Sequence, residues 1–293
     1  MIKTIVNQFR INWGGSSQIF SRSTVEIKPT QGWTSLGIHD LWEYRELLYL
    51  LIWREVQGVY RQTALGISWI FLRPIVNMLI LTLVFGQLVK VPSDGLPYPL
   101  FSLAALLPWG FFSNAVMRSS RALVDNMHVI SKVYFPRLVI PIAGSLSGLI
   151  DFVASLLVLL VMLLLYRMPL RWEMFSVFGF MFVALASALA VGLWLATLSV
   201  KYRDISFAVN FLLQALMYLS PVIYSVSLVP KPLQFLYQLN PMTGVIQGFR
   251  WALLGSGDPP GTMFFLSSVL VLMGLISGAY IFRRTERTIV DIL

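Results

Sequence analysis

The sequence predicts an all-α integral membrane protein, and its composition and the spacing of its apolar runs both point this way. Hydrophobic residues make up 57% of the 293 residues, charged residues 12%, and the mean hydropathy is +0.75. Soluble domains carry about 25% charged residues. Repeated apolar runs reach the roughly 20 residues that a helix needs to cross a bilayer. We expect an N-terminal amphipathic interface helix, six transmembrane helices, and re-entrant helices between spans five and six.

The chain divides by composition into three segments. Residues 1–38 are polar and rich in Ser, Thr and Gly, and we expect a cytoplasmic extension there. They lack the apolar core ending in small residues that marks a signal peptide. Residues 39–63 are predicted to form the amphipathic helix. Residues 64–293 carry the six spans.

The amphipathic helix is predicted from two faces at helical spacing. Asp40 and Glu43 have the spacing of a capping box at its start. The apolar run Leu47–Trp53 is too short to span a bilayer, so we expect the helix to lie in the membrane interface. The polar stripe holds Glu43, Glu46, Arg54, Gln57 and Arg61, and the apolar face holds Leu41, Leu48, Leu51, Ile52, Val56 and Val59.

Six apolar runs follow this helix. The third and fourth are longer than a bilayer requires, which predicts tilted or projecting helices. The predicted spans are Ser68–Val89, Leu100–Met117, Leu138–Tyr166, Trp172–Val200, Ile205–Tyr224 and Thr262–Phe282.

The positive charges predict that both termini are cytoplasmic, because Lys and Arg concentrate in cytoplasmic loops. With this orientation most of the 22 Lys and Arg residues lie inside. The exceptions are Lys90, Arg167, Arg171, Lys231 and Arg250. The segment Ser220–Gly255 then faces the outer side.

That outer segment is too apolar for a solvated loop and too broken for a span. Pro221, Pro230, Pro232 and Pro241 interrupt any continuous helix. Irregular backbone facing lipid would leave peptide groups without hydrogen-bond partners. We therefore expect short helices that line a protein-enclosed path or lie in the interface, as a gate would.

The inner segment between the second and third spans, Arg118–Arg137, mixes charged and apolar residues at helical spacing and meets Pro136 near its end. It predicts a cytoplasmic helix that presses on a soluble partner. A solvated connector explains the charges equally well.

Sequence motifs for nucleotide binding and hydrolysis are absent. The chain has no GxxxxGK[ST] phosphate loop, so it does not bind ATP by that route. HExxH, GxSxG and CxxC are missing too. With no Cys and two His residues, we expect no metal, no cofactor and no catalytic residue in this chain.

Asp151 lies near the middle of the third span, where a carboxylate needs a partner, water or a cavity. A proton-coupled carrier would use such a residue. Helix packing or a dimer contact is the alternative, because Gly144 and Gly148 form a GxxxG motif just before it. Gly274 and Gly278 repeat this spacing in the sixth span.

Four motifs identify a family. RQTALGISWIFLRPI (Arg61–Ile75) opens the first span, KYRDI (Lys201–Ile205) precedes the fifth, and SPVIY (Ser220–Tyr224) ends it. LNPMTGVIQGFRWALLG (Leu239–Gly255) precedes the sixth. In this order they resemble the membrane (permease) subunit of type-2 ABC exporters that move polysaccharides such as lipopolysaccharide O-antigen. The resemblance covers residues 39–293.

The resemblance implies a homodimer that pairs with two copies of a separate ABC ATPase, which would bind ATP and Mg²⁺. The substrate would be a polysaccharide linked to undecaprenyl diphosphate. It would pass from the cytoplasm to the outer face of the bacterial inner membrane, through a channel at the dimer interface. No nucleic acid is implied as a partner.

The same resemblance locates the substrate's entrance near the loop Leu65–Gly66, where guanidinium groups suit a diphosphate. Anchoring of the same arginines to anionic lipid is the alternative. Channel candidates are aromatic, since a ring stacks on a sugar without fixing it, although aromatic residues also face lipid or core. The entrance residues are Arg54, Arg61, Leu65, Gly66 and Arg73, and the channel residues are Trp109, Phe112, Phe207, Phe211 and Tyr218.

Two further groups are implied. The re-entrant helices, about Leu228–Leu254, would form the outer gate with Pro221, Tyr224, Asn240 and Pro241 as hinges and caps. The inner segment Arg118–Pro136 would dock on the ATPase. Its coupling candidates are Arg118, Arg121, Asp125 and Lys132.

Other functions remain open at this point. Capsular polysaccharide or teichoic acid would suit the same channel, and a drug or small-lipid exporter suits the aromatic content less well. From another class, a proton-coupled carrier or flippase would depend on Asp151. An intramembrane enzyme acting on glycans would need catalytic groups that the sequence does not offer.

Overall fold

The computed structural model describes residues 42–61, 63–132, 135–169, 171–202 and 204–292, with the backbone alone for 287–292. The predicted extension 1–38 and the predicted capping residue Asp40 lie outside these residues. All regular structure described is helical. The α-helices are α1 (Arg45–Tyr60), α2 (Trp69–Leu81), α3 (Tyr98–Asp125), α4 (Met127–Ile130), α5 (Val139–Leu165), α6 (Val177–Lys201), α7 (Ile205–Tyr218), α8 (Lys231–Leu239), α9 (Pro241–Leu254) and α10 (Thr262–Ile292).

The described residues also contain four short helical pieces. Three are 3₁₀-helices, at Gly66–Ser68, Trp172–Ser176 and Val226–Leu228. The fourth is the π-helical turn Thr82–Leu88, which continues α2. Within this turn Gly86 packs against the Tyr98 ring. A Cβ at Gly86 would lie 2.9 Å from the ring carbon Cγ, so a larger residue would push the first span away from α3.

Helix α3 forms the centre of the molecule and packs mainly on α5 and α6, with α9 against its outer half. Small residues permit this approach. A Cβ at Gly192 of α6 would lie 2.6 Å from the Ser119 Oγ of α3. A Cβ at Gly144 of α5 would lie 3.3 Å from the backbone of Arg118. The interpretation of the GxxxG motif beginning at Gly144 as a packing feature is thus confirmed.

Within the residues that the structure describes, five stretches are long and apolar enough to cross a membrane. The fifth predicted span, Ile205–Tyr224, is wrong in its length, because α7 ends at Tyr218. Its 14 residues rise about 21 Å, less than the roughly 30 Å of a bilayer core. Pro221 explains this end, since it lacks an N–H and its ring would meet the carbonyl of Met217. The five stretches are Gly66–Leu88, Tyr98–Asp125, Val139–Leu165, Trp172–Lys201 and Thr262–Glu286.

Helix α1 has the two faces that the sequence predicted. Leu51 is buried and Leu48 and Ile52 are partly buried, in a cluster with Phe135 and Phe282. The predicted polar stripe is exposed throughout. The apolar face packs on protein, chiefly on α5, which fixes α1 beside the predicted inner ends of the spans.

The predicted end of the second span at Met117 is wrong, although the inner segment after it is largely helical, as expected. Helix α3 runs without a break from Tyr98 to Asp125, and the one-turn helix α4 follows it. The charged residues from Arg118 onward therefore continue the second span. Nothing in the local sequence stops α3 at Met117, because the residues after it favour a helix.

The broken outer segment forms the short helices α8 and α9, as its prolines predicted. Pro230 precedes α8, and Pro241 is the first residue of α9, where a missing N–H costs nothing. Gly255 ends α9 with φ +67°, a left-handed conformation that glycine adopts readily. Helix α9 is largely buried, whereas α8 has no buried residue.

Candidate functional site

A charged cluster joins three elements on the predicted inner half of the molecule. The Arg118 guanidinium of α3 lies 3.2 Å from the Asp151 carboxylate of α5, and it also donates to Ser147 Oγ at 2.6 Å. Tyr60, the last residue of α1, donates its hydroxyl to the other Asp151 oxygen. The Arg118 and Asp151 side chains are only 17% and 19% exposed. Asp151 therefore has the cationic partner that a carboxylate in a span requires.

Tyr60 acts only as a hydrogen-bond donor in this cluster at neutral pH. Burial first, and then its bond to Asp151, raise the pKa of Tyr60 above its usual value of 10. The sequence did not reveal the Arg118–Asp151 pair, because the expected inner helix placed Arg118 outside the membrane. The GxxxG motif does predict a close helix contact at Gly144, and the structure shows that the backbone of Arg118 makes this contact.

A polar cavity of about 340 Å³ adjoins this cluster between α2, α3 and α5. Its polar lining includes Arg73, Asn77, Asn114 and Asp151, and Tyr60 closes one side. Amides, a guanidinium and a carboxylate can accept and donate hydrogen bonds to a polar group at this depth. Arg73 is the one predicted entrance residue that lines it.

The other predicted entrance residues lie apart from this cavity. Arg54 donates to Asn126 at the end of α3, which holds α1 in place, and lies 3.9 Å from Glu55. Arg61 ends α1 and is exposed. Leu65 is exposed, and Gly66 has φ +52° with no atom within 4 Å of where its Cβ would be. Their role in substrate uptake stays a prediction.

The predicted channel aromatics separate into two groups. Phe207, Phe211 and Tyr218 share one face of α7 and are 75%, 72% and 52% exposed. We call these three residues the α7 stripe. Within the described residues, α7 packs mainly against α3 and α6. The α7 stripe is therefore accessible to a partner or a substrate.

Trp109 and Phe112 are instead buried, at 5% and 4% exposure, with ring centroids 5.5 Å apart. They line an apolar cavity of about 570 Å³ that reaches Trp194, Asn240 and Pro241. Trp109 also lines the polar cavity. These two rings of α3 therefore face cavities between helices of the same chain, whereas the α7 stripe is exposed.

The predicted gate residues are joined by hydrogen bonds. Asn240 caps α9, since its Oδ1 accepts from the Met242 N–H at 3.0 Å. Its Nδ2 donates to Ser220 Oγ at 2.9 Å, which ties the end of α7 to the start of α9. Pro221 is buried beside this bond. Asn240 is thus the N-cap of α9, whereas its role in a gate that opens and closes stays a prediction.

A second chain of bonds crosses the same segment. Tyr237 of α8 donates to the Tyr224 hydroxyl at 3.0 Å, and Tyr224 donates to the Tyr218 carbonyl at 2.7 Å. Burial, and then the bond to Tyr224, raise the pKa of Tyr237. Tyr98 donates to the Ile223 carbonyl at 2.7 Å. The turn after α7 is thus held from both α8 and α3.

Arg250 is a further site residue, and the charge pattern places it on the outer side without giving it a role. It is only 5% exposed, and its guanidinium carbon lies 3.5 Å from the centroid of the Phe101 ring. It donates to the carbonyls of Phe101 and Val222 at 3.4 and 3.2 Å. Burial lowers the pKa of Arg250, but a guanidinium stays protonated in proteins. Its position in α9 between apolar residues was the signal available.

The comparison with protein families decides the class. The family model described as ABC-2 type transporter matches residues 46–254. The chain belongs to the ABC-2 type transporter family. It is accordingly a multi-pass membrane protein and a transport subunit, and the family implies an ABC ATPase partner.

Three relatives show how the family resemblance extends along the chain. An O-antigen export system permease protein RfbA of Myxococcus xanthus is 30% identical over 217 residues, 73% of this chain and 82% of the relative. The polysialic acid transport protein KpsM of Escherichia coli is 24% identical over 82% of this chain and 93% of its own. The inner membrane transport permease YadH of Escherichia coli strain K12 is 28% identical over 64% of this chain and 76% of its own.

The predicted coupling residues of this ABC-2 chain differ in their surroundings. Arg118 is engaged with Asp151, as described above. Arg121 donates to the Ser206 carbonyl at the start of α7 at 2.7 Å. Asp125 and Lys132 are exposed. The exposed pair offers a surface to a soluble partner, whereas the two arginines connect helices within the chain.

Proposed function

We propose that this chain is the membrane subunit of an ATP-driven exporter of lipid-linked polysaccharide, of the O-antigen type. Two copies would enclose the path, and two copies of a separate ATPase would bind ATP and Mg²⁺ and drive transport. The polymer, carried on undecaprenyl diphosphate, would pass from the cytoplasm to the outer face of the inner membrane. Both termini would lie in the cytoplasm, as the charge pattern predicts.

The α7 stripe is the observation that carries this proposal. A polymer that slides cannot be held by many fixed hydrogen bonds, and exposed rings offer flat apolar faces to sugar C–H groups. The stripe has few partners in its own chain and leads into the gate segment Ser220–Tyr224. Two stripes facing each other across a dimer would line one continuous path. The relative named for O-antigen export supports this choice of substrate.

Substrate would be taken up near the polar cavity. Arg73 and the neighbouring amides offer donors for a diphosphate, and the Leu65–Gly66 loop lies at the start of the same helix. The outer gate would consist of α8 and α9 together with the Ser220–Asn240 contact. Opening it would require the Nδ2 bond of Asn240 and the Tyr237–Tyr224 bond to break, and the bonds from Arg250 and Tyr98 to the same segment would have to break or move with it.

Capsular polysaccharide is the second candidate substrate. The relative named as a polysialic acid transport protein spans more of this chain than the relative named for O-antigen export. The aromatic faces of the α7 stripe would serve either polymer. A proton-coupled carrier using Asp151 is less well supported, because Arg118 and Tyr60 already satisfy that carboxylate.

The test is export in a strain whose chromosomal copy of this gene is deleted. We expect lipid-linked polymer to accumulate inside the cell and to reach the surface again when the gene and its ATPase are restored. An ATPase variant that binds but does not hydrolyse ATP should block export. Unchanged surface polysaccharide in the deletion strain would contradict the proposal. Chemical analysis of the accumulated polymer distinguishes O-antigen from capsule.

A further inference from the structure

A polar cleft of about 680 Å³ opens between α8, α9 and the loop before α10, on the predicted outer side. It lies apart from the polar cavity beside Asp151 and from the α7 stripe. We propose that this cleft binds a short, uncharged stretch of saccharide as the polymer leaves the gate. This inference rests on the proposed function for its choice of substrate.

The cleft is rich in amides that have spare hydrogen-bonding capacity. Gln234 and Gln238 are four residues apart on α8, and Gln247 faces them from α9. Gln234 donates to the Val229 carbonyl at 3.0 Å, while the side-chain amides of Gln238 and Gln247 form no hydrogen bond with any described residue. An amide both donates and accepts. This capacity matches the hydroxyl groups of a sugar, which do the same.

The charges of the cleft favour a neutral ligand. Asp94 and Asp258 line it together with Arg250. Two carboxylates against one guanidinium repel an anion such as phosphate or an anionic lipid headgroup. Carboxylates also accept hydrogen bonds from hydroxyls strongly. A polyhydroxyl ligand therefore fits better than an anionic one.

One aromatic ring also borders the cleft. Phe264 lines it and packs against Phe180, with ring centroids 5.4 Å apart. The ring lies so close to α9 that a Cβ at Gly244 would be 2.6 Å from its Cδ2 atom. The fixed ring offers a face for the C–H side of a sugar, while the amides would bind the hydroxyls.

Two residues of the cleft hold the gate segment and the turn that follows it. Arg250 donates to the Val222 carbonyl of the gate segment at 3.2 Å. Asp94 accepts from Ser225 Oγ at 2.5 Å and from Ser227 Oγ at 3.4 Å, just beyond that segment. Asp94 has a φ of +52°, a left-handed conformation that Asp adopts more readily than most residues. Saccharide in the cleft would therefore touch the residues that hold the gate segment in place.

The test uses the complete complex with its ATPase in nanodiscs and exploits the absence of Cys from the native sequence. Asp258→Cys places a thiol at the exposed rim of the cleft, and Lys231→Cys places one on an exposed residue at the start of α8 that does not line it. The probe is a mixture of oligosaccharides released by mild acid from the surface polysaccharide of the source strain. We expect these to slow maleimide labelling at position 258 and to leave labelling at position 231 unchanged. Equal rates with and without the probe would overturn the proposal.

A second measurement uses variants that remove no bond of the fold. Gln238→Leu combined with Gln247→Leu should weaken oligosaccharide binding to the complex by about tenfold, because two hydrogen bonds are lost. Gln87→Leu is the matched control and should bind normally. Equal affinity in the double variant and the control, or displacement of the probe by inorganic phosphate, would overturn the cleft assignment. Failure of the wild-type complex to export any polysaccharide would instead overturn the proposed function.

Discussion

The Arg118–Asp151 pair gives the sharpest prediction, because it separates a packing role from proton coupling. Asp151→Asn removes the charge but keeps an oxygen that accepts from Tyr60, and Arg118 retains its 2.6 Å bond to Ser147 Oγ. Removing one partner of a fully buried pair costs about 3–5 kcal/mol. Because both side chains are partly exposed and Arg118 keeps a partner, we expect a loss of about 2 kcal/mol.

The assay is thermal unfolding of the purified complex, read beside ATP-driven export. A loss of about 2 kcal/mol lowers Tm by roughly 4–8 °C in a chain of this size. Arg118→Met should cost more, since it leaves the Asp151 carboxylate without its cation. The double variant should cost less than the sum of the two by about 1–2 kcal/mol. Export should remain near normal in Asp151→Asn at temperatures where the complex is folded.

Two results would refute this reasoning. Additive effects in the double variant would show that the two side chains are not energetically coupled. Loss of export in Asp151→Asn at unchanged stability would support a carrier that uses this carboxylate. Glu173→Gln is the control, because the Arg171–Glu173 pair at 3.0 Å is more exposed and screened by solvent, so its loss should leave Tm unchanged.

Four further predictions address the remaining sites. Gly66→Ala should impair export but preserve assembly, because a φ of +52° costs an L-residue about 1 kcal/mol, while the added Cβ would meet no other atom. Gly58→Ala in helix α1 is the control, and equal export by the two variants would contradict the entrance role of Gly66. Asn240→Ala removes both the helix cap and the bond to Ser220, so it should cost about 1–2 kcal/mol of stability and raise ion leak in proteoliposomes, whereas Asn240→Asp keeps the cap and removes only the bond to Ser220. Ion leak no higher than that of the wild type in both variants would count against the gate. The double variant Phe207→Ala, Phe211→Ala should slow export without changing Tm, since both rings are exposed. Phe178 of α6 is also exposed, and an equal effect of Phe178→Ala would show that export does not depend on the α7 stripe in particular. Arg121→Glu with Lys132→Glu should uncouple ATP hydrolysis from substrate, and unaltered ATPase binding and turnover would remove both from the coupling surface.

Sequence patterns were sufficient for the features that depend on local chemistry. The two faces of α1 follow from spacings of three and four residues. The division of the outer segment into α8 and α9 follows from Pro230 and Pro241, which both lie at helix starts. The capping role of Asn240 follows from its place directly before such a proline. These features are set by residues close together in the chain.

Features that depend on contacts between distant residues were beyond sequence reasoning. The residues after Met117 favour a helix, but no local signal shows that α5 and α6 cover this part of α3 through Gly144 and Gly192. Arg118 meets Asp151 across 33 positions, so their pairing required the α3–α5 packing to be known. Trp109 and Phe112 could equally have faced a channel or the core, and only the packing showed them buried. The charge pattern places Arg250 on the outer side, but only the fold shows that the Phe101 ring and two carbonyls hold it in the protein interior.

The central claim is that the α7 stripe lines the path of the polymer, and photo-crosslinking tests it most directly. A benzophenone amino acid at position 211 should form adducts with lipid-linked polysaccharide while the complex hydrolyses ATP. The same probe at position 178, an equally exposed Phe on α6, should form none. Adducts at position 178 and not at 211 would contradict the account, and so would adducts at neither position in a complex that exports normally.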